Sequence, residues 1–225
     1  MKHQFNQTAP RLESLLGRQT LLLGEINSGK TVFSFLFLQY LLQSYVYRPC
    51  EISVLDFGPP RLNTGSTSIG GTFQELLDST LHLDDVAPSL SQVHWVAQES
   101  LEGSLQSSPV ILAPRYSSKT SQSVLQACCQ NFKATFRQVK HFLNHPTPAL
   151  IINDIGIYLH VGGLNLLKKA IGASQTTLLN AYYGRSLVQD YGSNISRREQ
   201  IVLQLLMKHM NTYLCTDFLE LMSFP

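Results

Sequence analysis

The sequence predicts an α/β fold, a mostly parallel sheet with helices on both faces. Three observations carry that prediction. Short apolar runs followed by Gly24, Asp56 and Asn153-Asp154 alternate with segments of helical character, the order that builds strand–helix–strand crossovers. The runs are continuously apolar, as strands buried on both faces are. The composition, 44% apolar and 14% charged over 225 residues, suits a well-buried chain, and residues 1–225 are read as a single domain.

In order, Thr20–Leu23 reads as a strand closed by Gly24, and the apolar segment from Lys30 to Tyr45 as a helix that Pro49 stops. Ile52–Leu55 is a second strand, ending at Asp56. Residues 57–75 are rich in Gly, Pro, Ser and Thr and read as a long loop of the kind that carries function. A helix over Thr72–Leu81, a strand over Val93–Ala97 and an apolar run at Val110–Ala113 follow. Ser121–Leu143 is a long helix with Val124, Cys128, Phe132, Phe136, Val139 and Phe142 near one face. Its Lys133, Arg137 and Lys140 form a solvated face. Pro146 and Pro148 precede a strand at Ala149–Ile152; a helix at Leu164–Ile171 and a strand at Thr176–Asn180 complete the alternation. A last helix spans Ser196–Met210, with Ser196 as N-cap and Glu199 at capping-box spacing.

Totals narrow the classes. A net charge of +2 gives no argument for nucleic acid. The cysteines, Cys50, Cys128, Cys129 and Cys215, include no CxxC pair and read as buried, reduced thiols of a cytosolic protein. The N-terminus lacks the apolar core of a signal peptide. The stretch Val32–Val46 is interrupted by Ser34, Gln39, Gln43 and Ser44, and is shorter than the roughly 20 apolar residues a span needs. The expectation is a soluble protein with no membrane partner, cytoplasmic, or nuclear in a eukaryote. His94-Trp95 reads as core packing, and His141 with His145 as no metal site, because no third ligand is evident.

The sharpest pattern is Gly24-Glu25-Ile26-Asn27-Ser28-Gly29-Lys30-Thr31, which fits G-x-x-x-x-G-K-[ST] at every position, between a strand and a helix. Such a P-loop curls its backbone N–H groups around a phosphate and needs glycines where side chains would collide. The following helix, which Val32 continues, aims its positive end at the same anion. Lys30 would bridge the β- and γ-phosphates, and the Thr31 hydroxyl would bind Mg²⁺. The expected ligands are therefore a nucleoside triphosphate, read as ATP, and Mg²⁺, on a P-loop NTPase fold. An acid at a neighbouring strand end should serve the metal or act as base; Asp56 and Asp154 are the candidates. No [NT]KxD or DxxG pattern occurs, which argues against a Ras-like GTPase.

Four places, in order, resemble the P-loop polynucleotide 5′-hydroxyl kinases of pre-mRNA cleavage and ribosomal-RNA processing. They are the E-I-N-S-G-K-T loop, V-L-D-F-G-P-P at 54–60, A-L-I-I-N-D-I-G-I at 149–157 with Gly162-Gly163 and Leu166-Leu167, and Ser196-Arg197-Arg198-Glu199. The sequence departs from that family where Gly58 replaces a second acid, where Asp154 replaces Thr, and where Ile157 replaces a stacking aromatic residue, with Tyr158 adjacent. The resemblance implies γ-phosphate transfer to a hydroxyl such as an RNA or DNA 5′ end. Asp56 would orient the acceptor, Arg197 and Arg198 would close from a lid around 184–212, and Arg61 and Arg115 stand in reserve. The departures keep two other readings open. One is an NTP-driven switch or assembly ATPase acting on a protein partner, with loop 62–72 as its moving element. The other is a degenerate member that binds nucleotide only for stability.

Overall fold

The computed structural model describes residues 10–64, 67–79, 87–96, 110–187 and 189–215. The main-sheet strands are β1 (Gln19–Gly24), β2 (Ile52–Asp56), β5 (His94–Trp95), β6 (Ala149–Asn153), β7 (Thr176–Tyr182) and β8 (Asn211–Cys215), and a small hairpin pairs β3 (Leu62–Thr64) with β4 (Thr67–Ile69). The main sheet runs β5-β2-β6-β7-β1-β8, and every neighbouring pair is parallel. The helices are α1 (Lys30–Gln43), α2 (Phe73–Ser79), α3 (Ala87–Leu90), α4 (Pro114–Ser117), α5 (Ser121–Asn144), α6 (Ile155–Leu159), α7 (Leu164–Gly172) and α8 (Ile195–Met207).

Helices cover both faces, and strand periodicity divides the core accordingly. Leu21, Leu23, Leu55, Leu150, Ile152 and Leu179 join residues of α5, α6, α7 and α8 in one cluster. The intervening Leu22, Ile52, Val54, Ile151 and Leu178 join α1, Phe73 and Leu90 in the other. Helix α1 buries Phe33, Phe35, Phe37, Leu38 and Leu41; each such side chain contributes on the order of 2 kcal/mol by leaving water. The wholly parallel sheet collects the C-terminal ends of β1, β2, β6 and β7 at one edge, where ligands bind in open α/β sheets.

Several expectations change. The loop at 57–75 contains the β3–β4 hairpin and the start of α2, where Thr72 and Glu75 form reciprocal cap bonds: Thr72 N donates to Glu75 Oε2 at 3.0 Å, and Glu75 N to Thr72 Oγ1 at 3.2 Å. Residues 80–81 of the expected helix and residue 97 of the expected strand lie outside the described residues, as does residue 188 of the expected lid. The last helix opens at Ile195 after an Asn194 N-cap, not at Ser196. Asp190 Oδ2 accepts from Ser196 N at 3.3 Å, and Glu199 turns inward to a buried ion pair instead of closing a capping box. The segment read as a lid, around 184–212, runs into the first residues of an edge strand, β8. Residues after β6 turn helical, so Ile157 and Tyr158 part company: Tyr158 is buried against Phe57 and Phe132. Cys50 and Cys129 are exposed, whereas Cys128 and Cys215 are buried.

No helix among the described residues is long and apolar enough to cross a membrane. His94 lies 5.4 Å from His141, and His141 5.8 Å from His145, between ring centres. No group of three His, Cys, Asp or Glu among the described residues is arranged to hold a metal.

Candidate functional site

The turn from Gly24 to Thr31 joins β1 to α1. Gly29 takes φ 82°, a left-handed conformation that favours glycine, and Asn27 takes φ 58°. Gly24 answers to sterics: a Cβ there would stand 2.4 Å from the Cys215 carbonyl oxygen and 2.6 Å from Ser28 Oγ. The Lys30 ammonium folds back into the turn, donating to Glu25 O and, at 3.2 Å, to Ser28 Oγ. Burial depresses its pKa to about 8, against the opposing pull of Asp154. Cys215 Sγ donates to Ser28 O at 2.6 Å, fastening β8 to the turn.

Two neighbours clasp this turn. Asn27 Nδ2 donates to Ser68 O in β4 at 2.8 Å. The Glu25 carboxylate accepts from Ser186 Oγ and from Arg185 N at 2.5 Å. Burial raises the Glu25 pKa, but these bonds outweigh it and hold the group below the ordinary glutamate range. The segment after β7 therefore sits on the second residue of the turn, and Leu187 N donates to Tyr182 Oη at 2.9 Å.

Beside the turn a buried polar network links three strand ends. Thr31 Oγ1 donates to Asn153 Oδ1 at 3.1 Å. Asn180 Nδ2 donates to the same oxygen and to Ser34 Oγ, both at 2.9 Å, while Asn180 Oδ1 accepts from Asp154 N. Asn153 Nδ2 donates to Asp56 Oδ1 at 2.7 Å and to Gly71 O at 3.2 Å. Asp56 also accepts from Phe73 N at 2.7 Å and Gly58 N at 3.1 Å. Burial nevertheless lifts its pKa to about 6. Asp56 thus stands behind Asn153. Gly58 leaves no room for a side chain: a Cβ there would meet Gly71 O at 2.6 Å and Asn153 Nδ2 at 2.7 Å.

The cleft itself holds about 120 Å³ and opens to solvent. Its walls include Ile26, Asn27, Lys30 and Thr31 from the turn, Gly70 and Gly71 after the hairpin, and Asp154, Arg115, His160, Tyr182 and Glu199 opposite. Asp154 has φ 52°, and its pKa rises to about 7, through burial and the nearby Glu199, despite Lys30 and Arg115. Arg115 is pinned to Glu199, donates from Nε to Ser196 Oγ at 3.1 Å, and lies 6.0 Å over the Tyr182 ring. Burial pushes the Glu199 carboxyl up, but Arg115 and His160 outweigh it and bring the pKa down to about 2.

Of the residues expected from sequence, Ile26, Asn27, Lys30, Thr31 and Asp154 line the cleft, and Arg115, held in reserve, joins them. Asp56, Arg61, Arg197 and Arg198 do not. Arg197 is exposed. Arg198 donates to Leu159 O, Val161 O and Gly162 O at 3.3, 2.8 and 3.1 Å, binding α8 to the turn before α7. Sequence reasoning missed Asn153, Asn180, His160 and the inward role of Glu199. The two asparagines had a signal, an amide placed where an otherwise apolar strand runs out; His160 and Glu199 had none. No family model matches the chain, and no curated protein matches it.

Proposed function

We propose that this chain binds Mg²⁺ and ATP on the Gly24–Thr31 segment, acting as a P-loop, hydrolyses the γ-phosphate, and uses nucleotide state to set its affinity for a protein partner. The observation that carries this reading is the placement of Asp154, a buried carboxyl across the cleft from Lys30 in a space that reaches solvent beside the turn. A group titrating near neutrality is suited to accept a proton from an attacking water.

The residues present fit the metal. The Thr31 hydroxyl spends its hydrogen on Asn153 Oδ1, which leaves its lone pairs to a hard cation, and Asp154, in the same cleft, would meet the cation through a water of its shell. Mg²⁺, when bound, would neutralise charge developing between the β- and γ-phosphates. Lys30 would trade its two bonds inside the turn for phosphate oxygens. Asn180 fixes the backbone of Asp154, and Asp56 fixes Asn153. The hairpin bonded to Asn27 supports a switch, because an anion in the turn acts on the same residue that anchors Ser68.

Transfer to a nucleic-acid 5′-hydroxyl has less support. It needs Asp56 at the acceptor, yet Asp56 accepts three hydrogen bonds and lies outside the cleft. It also needs lid arginines, and Arg198 is occupied with backbone carbonyls.

The experiment is Mg²⁺-dependent ATP turnover, with and without 5′-hydroxyl RNA and DNA oligonucleotides, tracking label to water or oligonucleotide. Wild type, Lys30→Ala and Asp154→Asn are compared. Release of inorganic phosphate, abolished by Lys30→Ala and lowered about 100-fold or more by Asp154→Asn, is the expected result. Label on the oligonucleotide would replace this reading with the kinase. Full turnover in Asp154→Asn would remove Asp154 from the mechanism.

A further inference from the structure

We propose that Arg115 recognises the terminal phosphate of the nucleotide, and that Glu199 holds it in reserve while the cleft is empty; this rests on the cleft being an ATP site. Among the described residues that line the cleft, Lys30 and Arg115 are the strong cations, and they approach from different elements. Asp154 feels both, so the two charges share one small space. The arginine is presented by the short helix α4, and its side chain is 8% exposed beside a Glu199 that is 4% exposed. A guanidinium is the group best shaped to grip a phosphate through two parallel bonds. ADP offers no terminal phosphate at that depth, so Arg115 distinguishes the triphosphate from the diphosphate.

A buried carboxylate stripped of its partner would be strongly destabilising, and the structure places a second hydrogen-bond donor beside it. His160 Nε2 stands 3.5 Å from Glu199 Oε2, its side chain 1% exposed. Neither ring nitrogen of His160 has a hydrogen-bond partner within normal reach. When Arg115 turns to the phosphate, a shift of a few tenths of an ångström closes the bond between His160 and Glu199. Because Glu199 and Ser196 belong to α8 and Arg115 to α4, an Arg115 that turns to the phosphate gives up both bonds and unties these two helices only in the triphosphate state. Nucleotide identity is thereby converted into the position of α8, the kind of output a switch requires.

The test measures ATP (as its non-hydrolysable analogue) and ADP affinities, with Mg²⁺, for wild type, Arg115→Gln, Glu199→Gln and the double variant. Arg115→Gln is expected to weaken analogue binding about 10- to 100-fold while ADP changes less than about threefold. Glu199→Gln frees Arg115 and is expected to tighten the analogue several-fold, with ADP unchanged. If Arg115→Gln does not fold, His160 does not stand in for Arg115 and the exchange is overturned; the double variant, which carries neither charge, then tests the discrimination alone and should show the same loss. Equal losses for ATP and ADP, no loss for either, or a weakened analogue in Glu199→Gln would overturn the proposal. A wild-type protein that binds neither nucleotide would instead overturn the ATP-site reading beneath it.

Discussion

At the scale of single residues, the informative choice is Asn153. It stands at the end of a strand beside Thr31, where an acid would bring a metal ligand, yet it must donate to Asp56 and accept from Thr31 and Asn180 together. An amide does both; a carboxylate does not. Asn153→Asp would set two buried carboxylates in contact, so one must keep a proton. We expect this variant to lose about 2–3 kcal/mol of stability at pH 8, with a smaller loss at pH 5, where the shared proton is available. Urea denaturation at the two pH values measures it, and an equal loss at both would show that shape, not charge, selects the amide. The same logic explains what the sequence made legible here. Lys30 and Thr31 announce themselves because they fall at fixed places in the G-x-x-x-x-G-K-[ST] pattern. Asn153 and Asn180 matter through partners more than 25 residues away along the chain, which spacing does not encode.

At the scale of elements, the inner strands of the main sheet and the long helices were legible because each is a largely apolar run or a clear helical face. The strand Thr20–Leu23 extends by one residue at each end, and the helix from Ser121 ends at Asn144. What failed was local capping logic. Ser196 and Glu199 have the right spacing for a capping box, but Arg115 recruits both side chains, and a buried ion pair outweighs a cap at a helix end. Edge strand β8 is half-buried and polar at its start, so it carries none of the apolar continuity that marks the inner strands. The role of Arg198 follows from this relocation of α8. Arg198→Ala removes three bonds to backbone carbonyls and should cost about 1–3 kcal/mol, leaving nucleotide affinity within about twofold. A lid arginine would behave in the opposite way, with stability kept and nucleotide binding or turnover lost. Thermal denaturation beside nucleotide titration separates the two. Gly156 offers a second check on α8: a Cβ there would stand 2.1 Å from Glu199 Oε1 and 3.2 Å from Asp154 Oδ1. Gly156→Ala should therefore displace the ion pair and lower stability by about 1–3 kcal/mol; an unchanged melting temperature would contradict the packing at this helix.

At the scale of the whole molecule, folding gathers four ionisable groups at one sheet edge, and three of them are held against their ordinary preference. Asp56 and Asp154 titrate at about 6 and about 7 in the fold, against 3.8 ordinarily. Between those limits the folded state holds more protons than the unfolded state, so their contribution is fully present near pH 4 and is lost as pH rises to about 7. Lys30 titrates at about 8 against 10.5; between those values the unfolded state holds more protons, and stability rises with pH. Glu199, at about 2 against 4.5, contributes above pH 4.5 and loses that contribution as pH falls. Together these signs predict a nucleotide-free protein with a stability maximum near pH 4 and a trough near pH 7–8, where a charged Lys30 and charged aspartates are all buried. Mg²⁺ with an ATP analogue should fill the trough, because phosphate oxygens replace the solvation Lys30 gave up and the cation does the same for Asp154. The added stability should then be larger at pH 7.5 than at pH 5. Denaturation across pH 3–9.5, with and without the ligand, reads both effects. A curve with a single maximum at neutral pH would mean that water reaches these groups in the folded protein. A ligand effect equal at both pH values would mean that neither Lys30 nor Asp154 meets the nucleotide.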